Sequence, residues 1–193
     1  MITIKKTASN DIRLWVTFFL LWMFLVSNVY ASSVDIFGGT LVQGTPFDYK
    51  LSQAGFFQEI SQVLPGSVSP EPIDSLFLKA RSFRYTHEKG DNHWRSAEET
   101  EMRHAGDCKD KSLWLYTQLK KNGYSNVRLV VGRYRTFDKT FHAWVTYTDA
   151  SNVTYLLDPT IQKRVWTGME FSSGFYTPLY SFDGQQRYRY SAL

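Results

Sequence analysis

Residues 106–123 read Gly-Asp-Cys-Lys-Asp-Lys-Ser-Leu-Trp-Leu-Tyr-Thr-Gln-Leu-Lys-Lys-Asn-Gly, a pattern that predicts a helix starting beside the only cysteine of the chain. Asp107 is a favourable N-cap residue, and Asp110 suits the first turn because its charge complements the helix dipole. Gly123 is typical of the position just past a helix C-terminus. The sequence therefore places Cys108 in the first turn, on the face that also carries the leucines.

The regions on either side of this helix indicate the fold class. Short amphipathic helices are expected before it, and strand-like runs with polar turns between them after it. Helices followed by a series of antiparallel strands indicate an α+β fold. The helices are predicted over 53–64, 73–85 and 96–104, and the strands over 127–134, 141–147 and 153–157, with further short strands in 164–190.

The last two of these strands carry a histidine and an acid that can meet. If their hairpin is centred on Ala150, His142 and Asp158 lie directly opposite each other, with Cβ atoms roughly 5 Å apart. Pro159 then ends the ladder next to the acid, as expected at the end of a sheet. An imidazole beside a carboxylate is an oriented base.

The single thiol excludes an intramolecular disulfide, a zinc site of four thiolates and an iron–sulfur cluster held by four thiolates. A helix N-terminus presents N–H groups and partial positive charge, which favour a thiolate over a thiol. Cys108 is therefore either a small core residue or a nucleophile. Together with His142 and Asp158 it supplies the groups that nucleophilic acyl transfer requires.

The motifs around these residues resemble the transglutaminase-like superfamily, and most closely the bacterial transglutaminase-like cysteine peptidases. The resemblance implies a papain-like, transglutaminase-like core in which the nucleophile helix packs on an antiparallel β-sheet. It also implies that Cys108 is the nucleophile, His142 the base and Asp158 the residue that orients the base. The motifs that carry it are Gly106–Lys111, His142–Val145 and Tyr155–Thr160.

One position departs from the pattern of the members that cleave surface adhesins. Those members resemble this chain but carry an acid directly after the catalytic cysteine, as part of a calcium site, whereas this chain has Lys109. Asp107 and Asp110 remain as weak calcium candidates, but calcium prefers six to eight oxygen ligands. We therefore expect no cofactor and no adhesin-processing role.

Two tryptophans are candidates for the cleft around the thiol. The indole N–H of Trp94 could line the cleft or donate to an oxyanion. Trp144 lies on the same face of its strand as His142 and could flank the site. Packing in the core is the alternative for both side chains.

Residues 1–31 have the pattern of a secretory signal peptide. Basic residues precede the uncharged run Leu14–Val26, and Ala31 closes a cleavage-site pattern. An uncleaved membrane anchor is the alternative. The sequence thus predicts a single domain over 32–193, periplasmic or secreted, that meets a membrane only if residues 1–31 are retained.

The charge composition of the chain bears on whether it binds nucleic acid. The net charge is only +4 and no dense basic cluster is present, so a nucleic-acid partner is not expected.

The predicted function is thiol-dependent acyl transfer, as a cysteine peptidase or amidase that forms a thioester with a protein or peptide substrate. Two alternatives stay open: a cross-linking transglutaminase, and a non-catalytic binding module that keeps the fold. A Cys108 packed shut or a His142 turned away from it would indicate the binding module.

Overall fold

The computed structural model describes residues 39–59, 71–87, 93–135, 138–167, 175–184 and 186–191. The signal peptide predicted over 1–31 lies outside these residues, and so does the end of the helix predicted over 53–64. Within the described ranges, no helix is long and apolar enough to cross a membrane.

The N-terminal half of the described chain is mainly helical. The helix expected from residue 53 in fact begins at Asp48 and is interrupted at Gly55, whose φ of 77° lies in the left-handed region. The helix predicted over 73–85 begins at Ile73 but ends at Ser82, because Phe83 is extended and Arg84 and Tyr85 pair as a strand with Ala105 and Gly106. The helices predicted over 96–104 and from Asp107 lie where the sequence places them. The elements are β1 (Thr40–Val42), α1 (Asp48–Gln53), α2 (Phe56–Glu59), α3 (Ile73–Ser82), β2 (Arg84–Tyr85), α4 (Ala97–Arg103), β3 (Ala105–Gly106) and α5 (Cys108–Lys121).

The C-terminal half is mainly strand. Seven strands of the described residues form one antiparallel sheet in the order β1-β9-β8-β4-β5-β6-β7, while β2 and β3 pair in parallel as a separate small sheet. The strands of this half are β4 (Val127–Tyr134), β5 (His142–Thr148), β6 (Thr154–Leu157), β7 (Trp166–Thr167), β8 (Tyr176–Asp183) and β9 (Gln186–Arg189).

The start of α5 is fixed by a capping box. The carboxylate of Asp107 accepts hydrogen bonds from the N–H groups of Lys109 and Asp110, and Asp110 in turn accepts from the N–H of Asp107 at 3.3 Å. These bonds satisfy N–H groups that the first turn would otherwise leave unpaired. The predicted N-cap is therefore confirmed, and it places Cys108 at the first helical position.

Helix α5 lies across one face of the large sheet and forms the centre of the core. Its apolar side chains, with Trp114 and Tyr116 the largest, are almost completely buried. The Ser112 hydroxyl donates to the carbonyl of Ala143 on β5 at 3.0 Å, next to His142. The helix carrying the cysteine and the strand carrying the histidine are thus joined directly.

A buried lysine ties α5 to the end of α3. Lys111 Nζ donates to the carbonyls of Arg81 at 3.1 Å and Phe83 at 3.0 Å. Burial, together with the nearby Arg81 charge, lowers the pKa of Lys111 to about 8. The carbonyls at the end of α3 thereby receive a charged donor, which holds the chain beside the start of α5.

The hairpin of β5 and β6 differs in register from the prediction. Thr148 pairs with Thr154, so the loop is centred on Ser151 rather than on Ala150. The reason is the loop of residues 149–153, which is closed by a hydrogen bond from the N–H of Asp149 to the carbonyl of Val153 and in which Asn152 adopts a left-handed conformation, with φ of 62°. The shift of two residues makes His142 and Asp158 diagonal neighbours, and it leaves them on the same face because the side-chain period of a strand is two.

Gly132 sits where β4 meets both β5 and β8, at a register shift against β8. A Cβ atom there would collide with the carbonyl oxygen of Thr177 and would lie 2.6 Å from Cη2 of Trp144. The Gly132→Ala substitution is therefore expected to destabilise the fold by about 1–3 kcal/mol, because the backbone of the neighbouring strand must shift to make room for the methyl group. Urea denaturation measures this change in the free energy of unfolding.

The matched control is Gly44→Ala. The nearest atom to a Cβ at Gly44 is a carboxylate oxygen of Asp48 at 3.7 Å, an ordinary contact distance. This variant is expected to change the free energy of unfolding by less than about 0.5 kcal/mol. Equal stability of the two variants would contradict the packing described for Gly132.

Candidate active site

Cys108 lies on the wall of a cleft of about 540 Å³, and its side chain is partly exposed. His142 lies on the same wall. The thiol is therefore accessible from the solvent side of the fold, as a reacting group must be. Aromatic rings contribute much of the remaining lining, namely those of Phe47, Tyr85, Trp94, Tyr134 and Phe141.

Asp158 holds one side of the His142 ring. The Nε2 atom of His142 lies 2.6 Å from Oδ2 of Asp158, and the carboxylate has no solvent exposure. Its other oxygen, Oδ1, accepts from the N–H groups of Thr160 at 2.9 Å and Ile161 at 3.2 Å. The backbone after β6 thus fixes the carboxylate, and the carboxylate fixes the imidazole.

The other side of the ring faces the thiol. Cys108 hydrogen bonds to His142, and Nδ1 is the ring nitrogen that Asp158 leaves available. Burial opposes a charged imidazole, but the bonds to Asp158 and Cys108 outweigh it and raise the pKa of His142 to about 10. The structure therefore brings Cys108, His142 and Asp158 together, in the order predicted for a nucleophile, a base and an orienting acid.

The raised pKa of His142 predicts a titration that NMR can follow. The ordinary value is 6.5, so the folded protein is expected to keep the imidazolium up to about pH 10. The stability that this proton contributes is complete below about pH 6.5 and is lost as the pH rises through about 10. In Asp158→Asn the carboxylate charge is removed, and the titration of the His142 ring should move toward neutral pH. A wild-type ring that titrates near pH 6.5 would contradict the hydrogen-bonded pair.

The two tryptophans occupy different places. Trp94 is largely buried but lines the cleft, with its ring 6.2 Å from that of Phe47. Trp144 has no solvent exposure and is not part of the cleft lining; its ring stacks on His142 at a centroid distance of 6.1 Å. Trp144 therefore packs against the imidazole on the side of the ring away from the cleft. Of the two tryptophans, only Trp94 can contact a molecule bound in the cleft.

The two acids at the start of α5 already have cationic partners. Lys109 Nζ bonds to Oδ2 of Asp107 and lies 3.8 Å from Oδ1 of Asp110. The guanidinium of Arg95 donates to Oδ2 of Asp110 at 2.8 Å. Among the residues that the structure describes, no three His, Cys, Asp or Glu side chains form a group that could hold a metal ion.

Two residues of the site were not predicted from the sequence. The hydroxyl of Tyr176 donates to Oδ2 of Asp158 at 2.9 Å, and Gln162 Oε1 accepts from the N–H of Asp158 at 3.0 Å. Gln162 follows Asp158 by one helical turn, a spacing too common to single it out. Tyr176 lies in a segment where aromatic and polar residues alternate, and only the pairing of β8 with β4 brings it to the site.

Comparisons with known proteins support the fold through structure alone. No family model matches the chain, and no curated protein matches it. The structure of EGTA-treated LapG from Legionella pneumophila is 17% identical over 75% of this chain and 77% of that chain, with a TM-score of 0.55. The calcium-bound form of Legionella pneumophila LapG is 18% identical over 73% of this chain and 78% of that chain, with a TM-score of 0.52.

This likeness confirms the predicted architecture. The present chain shares its α+β fold with LapG. The nucleophile helix packed on an antiparallel sheet, expected from the sequence motifs, is what α5 and the seven-stranded sheet form. The fold therefore is the papain-like, transglutaminase-like one.

Proposed function

We propose that this chain is an exported cysteine peptidase or amidase that acts on a protein or peptide substrate. The observation that carries the proposal is the partly exposed Cys108 bonded to His142, which is bonded to the buried Asp158. Neither sign of a non-catalytic binding module, a thiol packed shut or a histidine turned away, is present. The pattern of residues 1–31 supports export, to the periplasm or beyond the cell.

The position of His142 lets it accept or donate the proton at each step of acyl transfer. Cys108 passes its proton to His142, which carries it as the imidazolium, and the sulfur attacks the carbonyl carbon of the substrate amide. The oxygen that becomes negative can be held by the N–H of Cys108, which lies at the helix N-terminus and outside the capping box. His142 then gives its proton to the leaving amine, which departs and leaves a thioester. Water, deprotonated by His142, cleaves the thioester and restores the thiol.

A mixture of proteome-derived peptides tests this function. Wild-type protein and Cys108→Ala are incubated separately with the peptides and with a fluorescent primary amine, and the products are analysed by mass spectrometry. New peptide termini that require Cys108 are the expected result. Incorporation of the amine without new termini would identify the cross-linking transglutaminase instead. Absence of both reactions, with the thiol intact and the protein folded, would contradict acyl transfer.

The acids beside Cys108 do not fit a calcium ion. Calcium takes six to eight oxygen ligands at about 2.3–2.6 Å, whereas Asp107 is bonded to the ammonium of Lys109 and Asp110 to the guanidinium of Arg95. These fixed cations balance the carboxylates that a divalent ion would otherwise need to approach. We therefore propose that the protein works without calcium, although a calcium-bound structure exists for LapG.

Calcium independence is directly measurable. Neither excess EGTA nor added calcium is expected to change the melting temperature or the rate of Cys108 acylation. In Lys109→Ala the carboxylate of Asp107 loses its ammonium partner and keeps its backbone donors, so a decrease of about 0.5–2 kcal/mol in the free energy of unfolding is expected. A wild-type protein that loses its activity in EGTA and regains it with calcium would contradict this prediction.

A further inference from the structure

Tyr176 makes the least expected contact of the site. Its hydroxyl and the Nε2 atom of His142 converge on the same oxygen, Oδ2 of Asp158, at 2.9 and 2.6 Å. Oδ1 of this carboxylate is occupied by backbone N–H groups. The oxygen that faces the imidazole therefore shares its charge between two side-chain partners.

The position of this hydroxyl is fixed by the packing of its ring. The ring of Tyr176 contacts Tyr134, Trp144 and Trp166 at centroid distances of 5.2, 5.1 and 6.2 Å. Burial and the neighbouring Asp158 charge raise the pKa of Tyr176 well above its usual range. The phenol thus keeps its proton and acts as a donor throughout the pH range in which His142 changes charge.

A donor on Oδ2 has two physical consequences. It fixes the carboxylate plane, so that a lone pair stays aimed at the Nε2 atom. It also withdraws negative charge from the oxygen that stabilises the imidazolium, which limits how tightly His142 holds its proton. A general acid that holds its proton less tightly transfers it more readily to a leaving amine.

We propose that Tyr176 is a positioning residue that orients Asp158 and moderates the proton affinity of His142. The inference rests on the proposed function, because the roles of His142 and Asp158 belong to that mechanism. Tyr176 acts through the carboxylate and has no place in the cleft lining. The other titratable groups that act on the pair are Cys108 and Lys111 of α5, while Tyr134 of β4 acts on Tyr176 itself, and all three are retained in the test.

The test compares Tyr176→Phe with Tyr190→Phe. Both substitutions remove one hydroxyl from a buried ring, but the hydroxyl of Tyr190 bonds to Ser181 Oγ at 2.7 Å, away from the carboxylate. The first readout is the NMR titration of the His142 ring. Tyr176→Phe is expected to raise the proton affinity of His142 by about tenfold, the effect of one hydrogen bond to a charged group, and Tyr190→Phe to leave it unchanged.

The second readout is turnover of an N-acyl p-nitroanilide, whose amine leaving group must take a proton from His142. Tyr176→Phe should reduce kcat by about tenfold and leave KM within about twofold, because the substrate does not touch the hydroxyl. An unchanged titration, or an equal effect of Tyr190→Phe, would overturn the inference. The titration needs no substrate, so this result is separate from whether the protein cleaves peptides.

Discussion

The His142→Ala variant is expected to acylate Cys108 about 10²–10⁴-fold more slowly than the wild type at pH 7, the usual contribution of a positioned general base. The ring bonds to both the thiol and the buried carboxylate of Asp158, so its removal leaves Cys108 without a proton acceptor. The first turnover of p-nitrophenyl acetate measures the step directly, because each acylation releases one nitrophenolate.

His93→Ala is the matched control for this experiment. His93 is exposed and lies outside the cleft lining, with Nε2 3.9 Å from a carboxylate oxygen of Glu99. Its removal is expected to leave the acylation rate within about twofold of the wild type, because it does not touch the reacting atoms. Equal rates for His142→Ala and the wild type would show that the imidazole is not the base.

The second large effect is on stability, at the buried ion pair beside the cysteine. Asp110 has no solvent exposure and accepts from both the backbone and the guanidinium of Arg95, which is itself buried. Asp110→Ala is expected to lower the free energy of unfolding by about 3–5 kcal/mol, because it leaves a buried cation without its main partner. It also removes half of the capping box of α5. Urea denaturation at pH 7 measures the loss.

Glu99→Ala is the matched control for Asp110→Ala. It removes a partly exposed acid near Arg95 and so shows how much of the loss in stability depends on the burial of Asp110. Glu99 also lies near Arg95, at 3.6 Å, but its side chain is partly exposed. Ion pairs at such positions contribute about 0–1 kcal/mol, so a small change is expected. A cost for Asp110→Ala no larger than that for Glu99→Ala would contradict the account of a buried pair.

The parts of the fold that depend on neighbouring residues could be predicted from the sequence. Helix α5 begins and ends where its caps indicate, because Asp107 and Gly123 act within one turn of the helix. The hairpin register could not be predicted, since the left-handed residue of its turn is Asn152 and not a glycine. The histidine and acid still meet because a shift of two residues preserves the strand face.

The parts of the site that depend on distant strands could not be predicted. Tyr176 reaches Asp158 only because β8 pairs with β4, and no local spacing specifies that pairing. In the same way, Trp144 shares the strand face of His142, yet the close approach of its ring to Gly132 and Tyr176 buries it completely. Sequence pattern assigns a face to each strand residue, whereas packing between strands decides what lies in the cleft.

The central claim is that Cys108 is an accessible nucleophile that passes its proton to His142. Alkylation of the native protein with iodoacetamide between pH 6 and 9 tests it most directly, because the single cysteine makes the labelling unambiguous. We predict that the native protein is labelled faster than the urea-unfolded chain at the lower end of this range, because only the folded protein holds Cys108 beside His142, whereas the rate in the unfolded chain rises with pH as for an ordinary thiol. A native rate that follows the unfolded one, or labelling only after unfolding, would contradict the account.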